Sequence, residues 1–139
     1  MRIMVIDGQG GRIGRQLIEA VSGRYHSLHI TAVGTNSTAT AAMLKGGAHE
    51  AATGENAVRV ACRKADVIIG PIGIVIADSL VGEVTPAMAL AVAQADAVRI
   101  LIPMNRCDNI VAGIGNESAS SLIDDAVRKL SEIIERFQV

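Results

Sequence analysis

The segment GQGGRIG, residues 8–14, contains four glycines and has the composition of a phosphate-binding loop. An apolar, β-branched run typical of a buried strand precedes it, and a segment with apolar residues at helical spacing follows it. A phosphate at the start of a helix meets unpaired N–H groups and the positive end of the helix dipole, provided that no side chain blocks its approach. The residues predicted to bind it are Gly8, Gln9, Gly10, Gly11, Arg12, Ile13 and Gly14.

The glycines of this loop do not follow the standard dinucleotide-binding pattern G-x-G-x-x-G. Their spacing is G-x-G-x-x-x-G, or equally G-x-x-G-x-x-G through Gly8, Gly11 and Gly14. In a phosphate-binding loop Gly8 would turn the chain off the strand, and Gly10 or Gly11 would let the phosphate approach the backbone. Gly14 would let the helix pack closely on the sheet. The alternative is a tight turn between strand and helix that binds nothing.

Polar residues follow the second predicted strand, where a dinucleotide-binding domain usually carries an acidic residue for the adenine ribose. This sequence has Thr35, Asn36 and Ser37 there, with no acid for the ribose and no arginine for a 2′-phosphate. These side chains could bind a ribose or a second phosphate. Equally, Asn36 or Ser37 could simply cap the helix that follows. At the end of the first strand, Asp7 is predicted to bind backbone N–H groups of the glycine loop, with contact to a ligand hydroxyl group as the alternative.

Two further segments follow predicted strands and are candidates for the lining of a ligand cleft. The first is a turn of small residues, which could instead bring the next helix tightly onto the sheet. The second ends in an amide side chain that could bind a ligand amide or carbonyl group. Cys107, nearby, has no histidine placed to activate it, so the sequence favours an inert thiol. The cleft candidates are Gly70, Pro71, Ile72 and Gly73, followed by Asn105.

Composition narrows the class of protein. The chain has 139 residues, which predicts a single domain over residues 1–139. Half of the residues are hydrophobic but only 1% are aromatic, and the net charge is −1, which disfavours nucleic-acid binding. The mean hydropathy of +0.37 predicts that apolar surface is buried between subunits of a homodimer or higher homo-oligomer. The longest apolar stretch, Val67–Ala77, is too short to span a membrane, so we predict a cytoplasmic protein.

Strand and helix patterns alternate along the chain, which predicts an α/β fold. We expect a single Rossmann-like, doubly wound, mostly parallel sheet of five or six strands with helices on both faces. Residues 48–53 form a weak candidate strand, and Asn109–Gly115 are a predicted short strand. The segment IVIADSLV, residues 74–81, is a predicted helical piece, and a second helix is expected after Thr85 and Pro86.

The glycine loop resembles the nucleotide loop of dihydrodipicolinate reductase. In GQGGRIGRQLI the family's G-x-x-G-R-M-G pattern is present with Ile13 in place of the methionine. This resemblance covers about a dozen residues and implies phosphate contacts at Gly8, Gly11, Arg12 and Gly14. The substrate domain of that family has no counterpart in this chain, so the resemblance does not imply reductase activity.

Over its whole length the sequence resembles a family of short bacterial proteins of unknown function. The segments that carry this resemblance are DGQGGRIG, GTNSTAT, ATGEN, IIGPIGI and LIPMN. The resemblance supports the domain boundaries and implies no activity.

These observations predict a nucleotide-binding protein whose leading ligands are NADP or NAD, with another phosphate-bearing small molecule as a further option. The sequence shows no paired carboxylates, Ser-His-Asp set, Lys-Tyr pair or metal-ligand pattern, so no catalytic residue is assigned and an oxidoreductase activity is left open. Two alternatives from other classes are a non-catalytic sensor or accessory subunit and a structural oligomer without a ligand. The first fits the lack of an acid–base pair. The second fits poorly with so many glycines, each of which costs backbone entropy.

Overall fold

The computed structural model describes residues 1–104 and 109–137, and a parallel sheet lies at its centre. Within these residues the strands are β1 (Arg2–Asp7), β2 (His29–Gly34), β3 (Glu50–Thr53), β4 (Val67–Pro71) and β5 (Val98–Ile102). They form one five-stranded sheet in the order β3-β2-β1-β4-β5, and every neighbouring pair is parallel. The order reverses between β1 and β4, which confirms the predicted Rossmann-like topology.

Helices cover both faces of the sheet because the central strands are apolar on both sides. In β1, Ile3 and Val5 face one core while Met4 and Ile6 face the other. The first core is closed by three helices and the second by two. The first group is α1 (Arg12–Arg24), α2 (Ser37–Lys45) and α5 (Ala119–Phe137), and the second is α3 (Glu55–Lys64) and α4 (Pro86–Gln94).

The predictions from the sequence were wrong for two elements. Residues Asn109–Gly115 form turns and irregular chain rather than a strand, and Ile110 is 95% exposed. An apolar side chain that no neighbouring element covers gives a strand no free energy of burial, and Gly113 has a φ of +86° that suits a turn.

The predicted helical piece at residues 74–81 is also absent. A 3-10 turn at Ile72–Val75 is followed by an irregular segment, residues 76–84, which we call the β4–α4 segment. Leu80 and Val81 have positive φ angles in this segment, and no α-helix accommodates them. The second predicted helix is confirmed as α4, with the Thr85 hydroxyl accepting from the N–H of Met88. Among the described residues no helix has the length and apolar character that a membrane crossing requires.

Candidate functional site

The carboxyl end of β1 is tied to the start of α1 by one buried carboxylate. Asp7 is only 2% exposed, and its two oxygens accept from the N–H groups of Gly8 and Gly14, each at 2.8 Å. Burial raises the pKa of Asp7 above its ordinary value, against the lowering effect of these two hydrogen bonds. The backbone role predicted for Asp7 is therefore confirmed, and it holds both ends of the glycine loop. The N–H of Gly11 also donates to the carbonyl oxygen of Gly8 at 2.9 Å, so the expectation of unpaired N–H groups for a phosphate is wrong for Gly8, Gly11 and Gly14.

Close contacts within the protein give a packing reason for three glycines of the loop. A Cβ atom on Gly8 would lie 2.6 Å from Thr35 Oγ1 and 2.8 Å from Leu80 Cδ1. Gly11 has a φ of +72°, and its Cβ would lie 2.7 Å from the backbone of Ala39. Gly14 packs against α2, where a Cβ would lie 2.8 Å from Met43 Cγ. Packing thus accounts for these three glycines without any ligand.

Gly10 differs from the other three glycines. A Cβ atom placed on it would meet no protein atom within 4 Å, and its φ lies outside the left-handed region. It lines an open groove between the first turn of α1 and helix α2, and the groove runs along α2 from Ser37 to Lys45. The other residues that line this groove are Arg15, Ser37, Thr38, Ala41, Ala42 and Lys45.

The neighbouring loop residues have different surroundings. Gln9 and Arg12 are exposed, and the N–H of Gln9 donates to a carboxylate described below. Ile13 is buried in the core between α1 and the sheet, so its side chain does not face a ligand.

The residues predicted at the end of β2 lie beside the glycine loop. The Asn36 side chain caps α2 by accepting from the N–H of Ala39 at 2.8 Å, which confirms the capping interpretation for this residue. Its Nδ2 also donates to the carbonyl oxygen of Gln9 at 2.9 Å. Ser37 is exposed on the groove beside Gly10, where it remains a candidate ligand contact.

A carboxylate that the sequence analysis missed lies between these two loops. Glu83 Oε1 accepts from the N–H of Gln9 at 2.9 Å, from Thr35 Oγ1 at 2.8 Å and from Asn36 Nδ2 at 2.6 Å. Burial of the carboxyl acts to raise its pKa, but these three hydrogen bonds together hold the pKa of Glu83 below its ordinary value. No local signal marks Glu83, because it lies in the irregular β4–α4 segment, 48 positions from Thr35.

The turn after β4 also lies at the carboxyl edge of the sheet. A Cβ atom on Gly70 would collide with the carbonyl oxygen of Ile6, so this glycine allows close approach of β4 to β1. Gly73 is buried, and its carbonyl oxygen accepts from the hydroxyl of Ser79. Pro71 ends β4 and Ile72 begins the 3-10 turn, so their role in lining a cleft remains a prediction.

Two reactive candidates from the sequence, Asn105 and Cys107, lie outside the described residues, so their roles remain predictions. Cys62 is buried on α3, and burial raises the pKa of its thiol to about 11, so it is protonated at neutral pH. The described parts of the chain contain no group of three or more His, Cys, Asp or Glu side chains that could hold a metal ion.

A second cavity, of about 200 Å³, lies between α3 and strands β1, β2 and β3. Its lining runs from Arg2 and Ile3 near the start of β1 to Val33 and Ala52 near the ends of β2 and β3. In parallel α/β sheets ligands bind beyond the carboxyl ends of the strands where the strand order reverses, so the glycine-loop edge remains the better candidate site.

The sheet topology and the helices on both faces define a Rossmann-like α/β protein. The chain belongs to the family described as "Domain of unknown function (DUF3842)", which matches residues 2–135 and confirms the family resemblance seen in the sequence. No curated protein matches the sequence. The phosphate binding that the loop's resemblance to dihydrodipicolinate reductase implies remains a prediction.

One solved structure is similar to this chain over its full length. It is a dodecameric FMN-dependent UbiX-like decarboxylase from Escherichia coli O157:H7, with 13% sequence identity and a TM-score of 0.43. The match covers 100% of this chain and 95% of the decarboxylase chain. At this level of similarity the decarboxylase says nothing about the ligand or assembly of this protein.

Proposed function

We propose that this protein binds a nucleotide at the carboxyl edge of its sheet, with a phosphate over Gly10 at the start of α1. The observation that carries the proposal is the open space in front of Gly10, the glycine of this loop for which the fold gives no packing reason. A glycine without a neighbour to accommodate suits a backbone that a ligand approaches closely.

The surroundings of Gly10 support a phosphate rather than an uncharged ligand. Ser37 and Thr38 present hydroxyl groups at the start of α2, where the positive end of a second helix dipole lies. Arg15 and Lys45 add two cationic side chains to the same groove. Arg15 also pairs with Glu19 at 2.8 Å across an exposed turn, an arrangement that contributes little to stability and leaves the guanidinium able to exchange partners.

The finer proposal is that the ligand is a dinucleotide, NAD or NADP, bound by a homo-oligomer. Exposed apolar side chains support the assembly, since Leu90 on α4 is 55% exposed and Val98 on β5 is 44% exposed. No catalytic residue is proposed. Without an acid–base pair the protein would act as a sensor or accessory subunit, or as an oxidoreductase completed by another chain.

A second candidate function is a structural oligomer without a ligand. It is favoured by the contacts of Gly8, Gly11 and Gly14, which explain three of the four glycines by packing alone. It leaves Gly10 and the cationic groove unexplained, so we rank it second.

Thermal unfolding in the presence of NAD, NADP, FMN, ATP, CoA or inorganic phosphate tests the first function. A ligand that binds the native state stabilises it by about 2.7 kcal/mol at 100 times its dissociation constant, which raises the melting temperature by several degrees. Gly10→Glu should fold, because a Cβ atom at this position meets no protein atom within 4 Å. Its carboxylate lies in the groove and repels a phosphate, so the variant should lose the shift in melting temperature.

Gly23→Glu is the matched control, since Gly23 is exposed on α1 and a Cβ there also meets nothing within 4 Å. It should keep the full shift. If no nucleotide shifts the wild-type protein, the structural function replaces the proposed one. A shift that Gly10→Glu retains would place the ligand elsewhere.

A further inference from the structure

We propose that Glu83 recognises the ribose of the bound nucleotide and selects a ribose with free 2′- and 3′-hydroxyl groups over one that carries a 2′-phosphate. This inference rests on the proposed nucleotide function and names the ligand class of the same site: NAD rather than NADP.

The position of the Glu83 carboxylate supports this role. Dinucleotide-binding domains place an acidic side chain at the end of β2, where it accepts hydrogen bonds from the ribose hydroxyl groups. Thr35 follows β2 in this chain and has no charge, but its hydroxyl donates to Glu83 Oε1 at 2.8 Å. A carboxylate therefore lies at the end of β2 after all, and the β4–α4 segment supplies it.

The hydrogen bonds of Glu83 leave one of its oxygens for a ligand. All three donors, from Gln9, Thr35 and Asn36, bind Oε1. Within residues 1–104 and 109–137 no hydrogen bond to Oε2 is found, and the side chain is only half-buried. The three bonds fix the orientation of the carboxylate, and the second oxygen can accept from a hydroxyl group.

The charges around Gly8 favour a hydroxyl group over a phosphate at this end of the loop. Asp7 accepts from the N–H of Gly8, and a Cβ atom on Gly8 would lie 3.1 Å from Glu83 Oε1. The charge of Glu83 acts to raise the pKa of Asp7. Two carboxylates this close repel a further anion. The basic residues, Arg15 and Lys45, lie on the Gly10 groove instead. The site is thus divided, with ribose hydroxyl groups at Glu83 and phosphates at Gly10.

Calorimetric titration of the wild-type protein and of Glu83→Gln with NAD and with NADP tests this inference. The glutamine oxygen can keep the three bonds of Oε1, while its amide group replaces the Oε2 acceptor with a donor and removes the charge. We expect the wild-type protein to bind NAD at least about tenfold more tightly than NADP. In Glu83→Gln the NAD affinity should fall and the ratio should shrink to within about threefold.

Glu132→Gln, an exposed substitution on α5, is the control and should leave both affinities unchanged. Equal or tighter binding of NADP by the wild-type protein, abolished by Gly10→Glu, would overturn the ribose assignment and leave the nucleotide function standing. Tighter NAD binding by Glu83→Gln would also overturn it, because Glu83 would then be an obstacle to the ligand. If neither nucleotide binds the wild-type protein, the ribose assignment and the dinucleotide proposal both fail, and a shift with FMN, ATP or CoA in thermal unfolding would leave the nucleotide function standing.

Discussion

The loop between β1 and α1 and the β4–α4 segment both follow a buried strand at the same edge of the sheet, yet they turn the chain in different ways. The first, at residues 8–11, is short and places Gln9 and Gly11 at φ angles of +50° and +72°. The second, residues 76–84, is long and places Asp78, Leu80 and Val81 at φ angles of +64°, +56° and +57°. Glycine adopts this conformation without strain, whereas residues with a Cβ adopt it at a cost, so the first loop has one such residue and the second has three.

The difference shows where each loop obtains its stability. The glycine loop is held by hydrogen bonds from its backbone N–H groups to the Asp7 carboxylate and by close packing on α2. The β4–α4 segment is held by buried Leu80, by Ser79 bonded to Gly73, and by the three bonds of Glu83. Strained backbone often occurs at functional sites, which agrees with the ligand role proposed for Glu83.

The largest effect is expected within the glycine loop. Gly11→Ala should lower the free energy of unfolding by about 3 kcal/mol, because it combines a left-handed φ with a contact of 2.7 Å to the Ala39 backbone. Gly10→Ala, its matched control, should change that free energy by less than about 0.5 kcal/mol. Urea denaturation measures both. Equal losses would mean that Gly10 also has a structural role and would weaken the phosphate proposal.

A smaller effect, of opposite sign, is expected in the β4–α4 segment. Val81 is 95% exposed and β-branched, so its left-handed φ has no compensating burial. Val81→Gly should raise the free energy of unfolding by about 1 kcal/mol by removing this strain. Val81→Ala keeps a Cβ and should gain less. Urea denaturation of the two variants separates the outcomes, and a loss of stability in Val81→Gly would show that the segment is not strained.

The smallest effect is the pH dependence contributed by Glu83. Its pKa is lower in the folded protein than its ordinary value of 4.5, so on acidification the unfolded chain binds the proton first. The stability that Glu83 contributes is present above pH 4.5 and is lost as the pH falls through the folded pKa. The stability difference between wild type and Glu83→Gln should therefore shrink between pH 6 and pH 3, by well under about 1 kcal/mol because solvent screens the carboxylate.

Urea titrations at several pH values measure this difference. A difference that stays constant over that range would mean that the three bonds of Glu83 do not stabilise its ionised form. Asp7 provides an internal contrast, since its raised pKa makes its contribution change with pH in the opposite direction.

Much of the fold was predictable because it depends on local pattern. Apolar runs identified β1, β2 and β4, and the caps Asn36 and Thr85 marked the starts of α2 and α4. The errors fell where the pattern was short. The β-branched residues at 74–76 and the apolar residues at 110–111 are compatible with several conformations, and only packing against the rest of the chain selects one.

By itself the sequence determined the alternation of strands and helices, the position of the glycine loop and the backbone role of Asp7, because each depends on residues close together in the chain. Only the tertiary structure decided which glycines of the loop pack closely against other residues and which one, Gly10, has open space in front of it. It also decided that Glu83 binds Thr35 and Asn36, 48 and 47 positions away. The physical reason is that a close approach or a carboxylate at a strand end depends on distances in space, which follow from strand order and loop path rather than from neighbouring residues.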